Sequence, residues 1–195
     1  MVIEPIPEPA LARLAELADG VREEMVGVRR AIHAHPELAR AEVATTAMVA
    51  DRLRAAGLSP QLFPGSGLRC DIPGATTGSR CVVAIRADLD ALPIEENTDL
   101  PFRSTRHGVS HACGHDAHTS AVLGAGLVLA SLAADGALPA GVRLVFQAAE
   151  EVQPGGAHDA IEAGALDGIE RILALHCDPR LDVGKVGTRI GPITS

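Results

Sequence analysis

Hydrophobic positions in EPALARLAELADGVREEMVGVRRAIHAHPEL recur every three or four residues from about Pro9 to His35. That period predicts a helix, with Pro36 as its natural stop. AEVATTAMVADRLRAAG repeats the pattern and predicts a second amphipathic helix ended by Gly57. A weakly patterned stretch follows, in which Pro64, Gly65 and Gly67 signal turns. The period then changes. CVVAIRA (81–87), VRLVFQA (142–148) and RILALH (171–176) are short, apolar runs rich in β-branched residues. Each is expected to be a strand buried on both faces. Helix-like segments at about 116–134 and 158–165 separate them. Alternation of this kind predicts an α/β fold whose sheet is substantially parallel.

The polar residues fall at the ends of those runs. RADLDALP follows the first strand, AEE ends the second, HCDP ends the third, and HACGHDAHT lies just before a helix. In open α/β sheets, ligands bind beyond the carboxyl ends of the strands. Four separate stretches therefore converge on one edge of the sheet.

Cys113 and His115 are two residues apart, a spacing that suits an extended turn in which alternate side chains share a face. A thiolate and an imidazole suit zinc and other borderline divalent ions. The same pair also reads as a small buried hydrophobe beside a helix cap, or as a Cys–His nucleophile. Glu150 and Glu151, in extended geometry, point to opposite sides. One could then hold a metal while the other moves a proton, although a Glu-Glu pair is also the ordinary mark of a solvated loop. His176 ends an apolar run and reads either as a packed residue or as a metal ligand. Asp88 and Asp90 flank Leu89 and either orient a ligand histidine or hold a turn, the orienting role being favoured for Asp90. His118 belongs to a helix face near the site, and His111 to a loop leading into it. His33, His35, His107 and His158 read as structural or surface residues.

Composition narrows the function classes. The 195 residues suffice for one domain with a sizeable core, and 47% are hydrophobic. A net charge of −8 without any Lys/Arg cluster argues against nucleic-acid binding. The longest apolar stretch, about 121–134, is short and Gly-rich for a membrane span, so no membrane association is expected. MVIEPIPEPA has no basic, apolar signal-peptide pattern. Cys70, Cys81, Cys113 and Cys177 form no CxxC, which argues against a disulfide framework and for a cytoplasmic protein.

IHAHPEL, RADLDALPIEE, HACGHDAHT, VRLVFQAAEE, PGGAHDAIEAGAL and LHCDPRLDVGKVGTRIGPITS occur in this order along the chain. In that order they resemble the aminoacylase/carboxypeptidase-like zinc peptidase family, in its branch of hippurate hydrolases, N-acyl-amino-acid amidohydrolases and indole-acetyl-amino-acid hydrolases. The resemblance implies a three-layer α/β/α catalytic domain with a mixed, largely parallel sheet. It implies Cys113, His115, Glu151 and His176 as ligands of two divalent ions, whether Zn, Mn, Co or Ni, and Glu150 as general base and then acid. Asp88, Asp90 and His118 would stand behind the ligands. The implied reaction is hydrolysis of the amide of a small N-acyl amino acid. Ala148 stands where family members often have Pro, and Asp178 in HCDP replaces an aromatic residue, which leaves substrate preference open. Family members are about twice as long. They carry a lid and dimerisation domain, form homodimers, and complete the catalytic domain with a further ligand histidine. By resemblance, residues 1–195 are the N-terminal portion of one metallohydrolase catalytic domain. Alone, this portion is expected to bind metal weakly and to turn over little substrate. The competing expectation is a non-catalytic metal-binding or interaction module.

Overall fold

The computed structural model describes residues 7–78, 80–188 and 190. Helix α1 (Glu8–Ala34) begins just after Pro7 and carries Pro9 in its first turn, where a missing N–H leaves no bond unmade. It stops before His35 and Pro36, as the restriction on a residue preceding proline requires. Helix α2 (Val43–Ala55) follows. Strands β1 (Gln61–Leu62) and β2 (Leu68–Ile72) occupy the stretch whose turn signals obscured them. β2 alternates cleanly, with Leu68, Cys70 and Ile72 buried. Then come β3 (Cys81–Asp88), α3 (His115–Ala134), β4 (Gly141–Gln147), α4 (Gly156–Glu162) and β5 (Arg171–Ala174).

The strands form one mixed sheet in the order β1-β2-β4-β3-β5. β3 pairs in parallel with β4 and with β5, while β2 runs antiparallel to β4 and to β1. The parallel trio therefore delivers Asp88, the segment after Gln147 and the segment after Ala174 to the same edge. Helices α1, α2 and α3 cover one face, where Ile32, Leu53, Val122 and Leu123 pack on Leu144 and Phe146. On the other face α4 and the turn after it bury Ala84, Val145, Ala160 and Ala165. These are the three layers of an α/β/α fold. α3 lies so close to the sheet that a Cβ on Gly126 would collide with Leu144. α3, expected at about 116–134, reaches the length and apolar content of a membrane-crossing helix, yet it begins with buried His115, Asp116 and His118 and packs against α1 and β3.

Two expectations need correction. β5 is not buried on both faces: Ile172 is 50% and Leu173 58% exposed, because among the described residues β5 is the outer strand and pairs only with β3. It also ends at Ala174, so His176 sits two residues beyond the strand and not at its tip. All four cysteines carry free thiols.

Candidate metal centre

The turn that launches α3 sets the geometry. Gly114 adopts φ +90° at the helix N-cap, a left-handed conformation that L side chains resist. The turn between Cys113 and His115 is thus left-handed, not extended as the spacing suggested. An added Cβ at Gly114 would lie 3.3 Å from the Cys177 Cβ and 3.4 Å from its Sγ, so the turn rests directly on the segment carrying His176. Cys113 Sγ then lies 3.4 Å from His176 Nε2. The other His176 nitrogen, Nδ1, donates to the Cys177 carbonyl at 2.8 Å, which leaves the Nε2 lone pair facing the thiol.

His115 is buried, and four carboxylates surround it. Its Nδ1 is 3.3 Å from Asp90 Oδ1, and its Nε2 is 3.6 Å from Glu151 Oε1, 3.7 Å from Asp88 Oδ1 and 3.9 Å from Glu150 Oε2. None of these is a formed hydrogen bond. Among the described residues, both His115 nitrogens, Asp90 Oδ1 and Glu151 Oε1 are buried polar atoms without a partner. Buried orphans of this kind are costly unless something else satisfies them. Cys113 Sγ, a His115 nitrogen and a Glu151 oxygen all lie within 4.8 Å of one another. Two ligands each 2.1 Å from a tetrahedral ion are about 3.4 Å apart, so the spacing suits donors that share a cation. The mixed sulfur, nitrogen and oxygen set fits a borderline divalent ion.

The acidic pair departs from its expected geometry. β4 ends at Gln147, and Ala149 takes φ +52°, which ends the extended run before Glu150. Both carboxylates therefore converge on His115, where an extended chain would have sent them apart. Their environments still differ: Glu151 Oε1 is buried, whereas the Glu150 side chain is 38% exposed. The Glu151 N–H donates to Asp90 Oδ2 at 2.9 Å, which pins the pair's backbone to the end of β3.

Asp88 and His118 form a second compact group with His115. Within it His118 is already engaged at both nitrogens: Nδ1 is 2.7 Å from Asp88 Oδ1, and Nε2 accepts the Cys177 N–H at 2.8 Å. Arg86, which no sequence signal marked, donates to Asp88 Oδ2 at 2.7 Å. Burial pushes the Asp88 carboxyl up, but the His118 hydrogen bond and the charges of His115 and Arg86 outweigh it and hold the group at about 2. Burial likewise opposes ionisation of Asp90, but His115 and the Glu151 and Glu150 N–H groups, all directed at its carboxylate, bring it below its ordinary value. His115 moves upward, its burial overcome by Asp90, Asp88 and Glu151. Burial and the neighbouring Glu151 push the Cys113 thiol up to about 12. The pocket is thus rich in negative charge, as a cation site requires.

The remaining histidines divide. His33 is buried between Asp116, at 2.9 Å, and Glu96, at 3.2 Å, and serves structure as expected. His35, His107 and His158 are exposed. His111 is buried with both nitrogens unpartnered among the described residues, and burial lowers its pKa to about 4.

Residues 84–194 match peptidase family M20/M25/M40. The chain is 57% identical over 174 residues to a Rhodococcus jostii protein named glutamate–cysteine ligase 2-3, a match that covers 89% of this chain and 21% of that one. It is 43% identical over 176 residues to an N-acetyl-L-cysteine deacetylase of Bacillus subtilis, covering 89% and 41% respectively. Among solved structures, a dinuclear metal binding peptidase of the M20 family from Bacillus subtilis superposes with a TM-score of 0.81 at 40% identity, covering 89% of this chain and 48% of that one. The chain thus spans less than half the length of these relatives.

Proposed function

Since the chain belongs to the M20/M25/M40 peptidase family of metallohydrolases, we propose that it supplies the metal grip and proton-transfer residue of an amidohydrolase acting on N-acyl amino acids. One observation carries the reading: Cys113, His115, Glu151 and His176, from three separate stretches of the chain, meet around buried His115 and Glu151 atoms that have no partner among the described residues. Cys113, His115, Glu151 and His176 would hold two divalent ions, with Zn, Mn, Co and Ni all compatible with the donor set. Bound there, such ions supply Lewis acidity, polarising an amide carbonyl and acidifying water.

The protein's own residues do the rest. Glu150 is the exposed member of the acidic pair, with Oε2 3.9 Å from His115 Nε2. It takes a proton from the attacking water and returns it to the leaving amine. Asp90 holds the Glu151 backbone, and Asp88 holds His118, which in turn holds the segment bearing His176. The deacetylase relative supports a small acyl group on the substrate. Asp178 is tied to Arg180 at 2.7 and 2.8 Å, so the position presents an ion pair where an aromatic wall would favour benzoyl groups. We therefore favour N-acetyl over N-benzoyl amino acids.

The test reads metal and turnover separately. Metal content is measured on the chain itself. Turnover is measured both on the chain and on a chimera in which it replaces the matching segment of the Bacillus subtilis deacetylase. Glu150→Gln should retain metal and release no amino acid. Substituting Cys113, His115, Glu151 and His176 together should abolish metal uptake. Unchanged metal content in that quadruple variant would overturn the reading, and hydrolysis that survives a chelator would point instead to the Cys113 thiol.

A further inference from the structure

Glu42 lies just before α2, yet its side chain is fully buried. Both carboxylate oxygens are used. Oε1 accepts the Ala149 N–H at 2.7 Å, and Oε2 accepts the Ser66 hydroxyl at 2.6 Å. Thr46, one turn further on, accepts the Gly67 N–H at 2.9 Å and donates to the Glu42 carbonyl. Gly67 in turn lies so close to the end of β4 that a Cβ there would sit 2.7 Å from the Phe146 carbonyl oxygen. Glu42 is therefore the centre of a clasp that joins α2, the β1–β2 turn and the exit of β4.

What the clasp grips is Ala149. This residue sits at φ +52°, a conformation that costs a non-glycine residue roughly 1 kcal/mol or more and persists only when its surroundings impose it. The Ala149 carbonyl accepts the Gly156 N–H at 2.9 Å, and its own N–H goes to Glu42. The next two residues are Glu150 and Glu151, whose convergence on His115 depends on that left-handed turn. The pair is thus fixed on both sides, by Glu42 before it and by Asp90 at the Glu151 N–H.

We infer that Glu42 is a positioning residue for the acidic pair: by holding Ala149 left-handed it aims Glu151 at the metal and Glu150 at the reacting atoms. The inference rests on the metal-site reading above and deepens it. The required feature is an acceptor for the Ala149 N–H, not a negative charge. Glu42→Gln can keep it, since an amide oxygen can accept from Ala149 while the Ser66 hydroxyl reverses to accept from the amide NH₂. Glu42→Met fills the same space without an acceptor.

Cobalt(II) titration of the whole chain, followed by its ligand-field and thiolate charge-transfer absorption, separates the possibilities. Far-UV circular dichroism confirms the fold of each variant. Glu42→Gln should bind cobalt within about twofold of the wild type, and folded Glu42→Met about tenfold more weakly, the scale seen when a group behind a metal ligand is lost. If Glu42→Met does not fold, Glu42→Asp, whose carboxylate falls short of Ala149, takes its place with the same expectation. Wild-type cobalt affinity in a folded acceptor-less variant would overturn the inference, as would failure of both variants to fold, which would assign Glu42 to folding. Absence of cobalt binding by the wild type would instead fail the metal-site reading itself.

Discussion

His118 and Asp88 form a closed, buried pair: the imidazole Nδ1 lies 2.7 Å from Asp88 Oδ1. Because His118 Nε2 accepts the Cys177 N–H at 2.8 Å, Nδ1 must carry the proton that Asp88 receives. One side chain thereby joins the tip of β3 to the segment after β5, and so sets where His176 stands relative to Cys113. His118→Ala removes that link and leaves a buried carboxylate and a backbone N–H short of partners. The expected result is a loss of about 2 kcal/mol in urea unfolding of the metal-free chain, with metal affinity about tenfold weaker but stoichiometry unchanged. A drop of one ion per chain would instead make His118 itself a ligand.

Gly114 is the second point where backbone geometry governs the site. Gly114→Ala would force a Cβ into the left-handed region and against Cys177, 3.3 Å away. Strain of about 1–2 kcal/mol should appear as a lower thermal midpoint in the presence of chelator. The displacement of Cys113 and His115 should also appear as weaker zinc binding in a competition assay. A variant that melts early but binds zinc normally would show that the turn tolerates rearrangement without moving its donors.

Much of this arrangement was legible in the sequence, for physical reasons. β3 and β4 read correctly because strands covered on both faces are continuous apolar runs. The converging polar stretches were visible because parallel neighbours must send their carboxyl ends to one edge. β2 was lost between Gly and Pro signals, although the alternation of Leu68, Cys70 and Ile72 was there to be read. β5 has the same apolar character as its neighbours, and composition cannot say which strand lies outermost. The site's finer geometry was beyond pattern. Gly114 offered a hint of a left-handed turn, but nothing marks Ala149 for φ +52°, and that turn brings both glutamates onto His115. Glu42 and Arg86 act over 107 and 2 residues of sequence respectively, and neither sits in a pattern that announces its partner.

Acid should loosen the loop between β3 and α3 through Glu96. Its side chain is 9% exposed and accepts the Ser104 N–H at 2.7 Å and a contact from His33 Nε2 at 3.2 Å. Burial alone would raise this carboxyl, but the Ser104 N–H, the Thr98 hydroxyl and His33 outweigh it and bring the group to about 2. A depressed carboxylate stabilises the fold fully above its ordinary value of 4.5, and that contribution is lost as the pH falls from there through about 2. Glu96→Gln, which can still accept from Ser104, removes the titration. Thermal midpoints between pH 6 and pH 3 should therefore fall less steeply in Glu96→Gln than in the wild type. Parallel profiles would show that the group's ionisation is not coupled to folding.

Away from the metal centre, Arg143 ties the opposite face of the sheet together, with Arg69 sharing its bond to the Gly164 carbonyl. Arg143, buried on β4, forms a two-pronged pair with Asp71 of β2, Nε to Oδ1 at 2.6 Å and Nη2 to Oδ2 at 2.7 Å. Its third nitrogen, Nη1, donates to the carbonyls of Gly164, Ala165 and Asp167 at 3.0, 3.3 and 3.1 Å, closing the turn that follows α4. Arg143→Ala strands the Ala165 and Asp167 carbonyls as well as Asp71, while Gly164 keeps its bond from Arg69, and a loss of about 3 kcal/mol is expected. Lysine cannot present a planar fork to the carboxylate while also reaching three carbonyls, so Arg143→Lys should recover less than half of that. Asp71→Asn should cost less than Arg143→Ala, because Asp71 is 36% exposed and water can replace part of the pair. Urea unfolding with chelator present isolates these effects from metal binding. Wild-type stability in Arg143→Lys would mean that charge alone, and not the guanidinium's geometry, holds this face together.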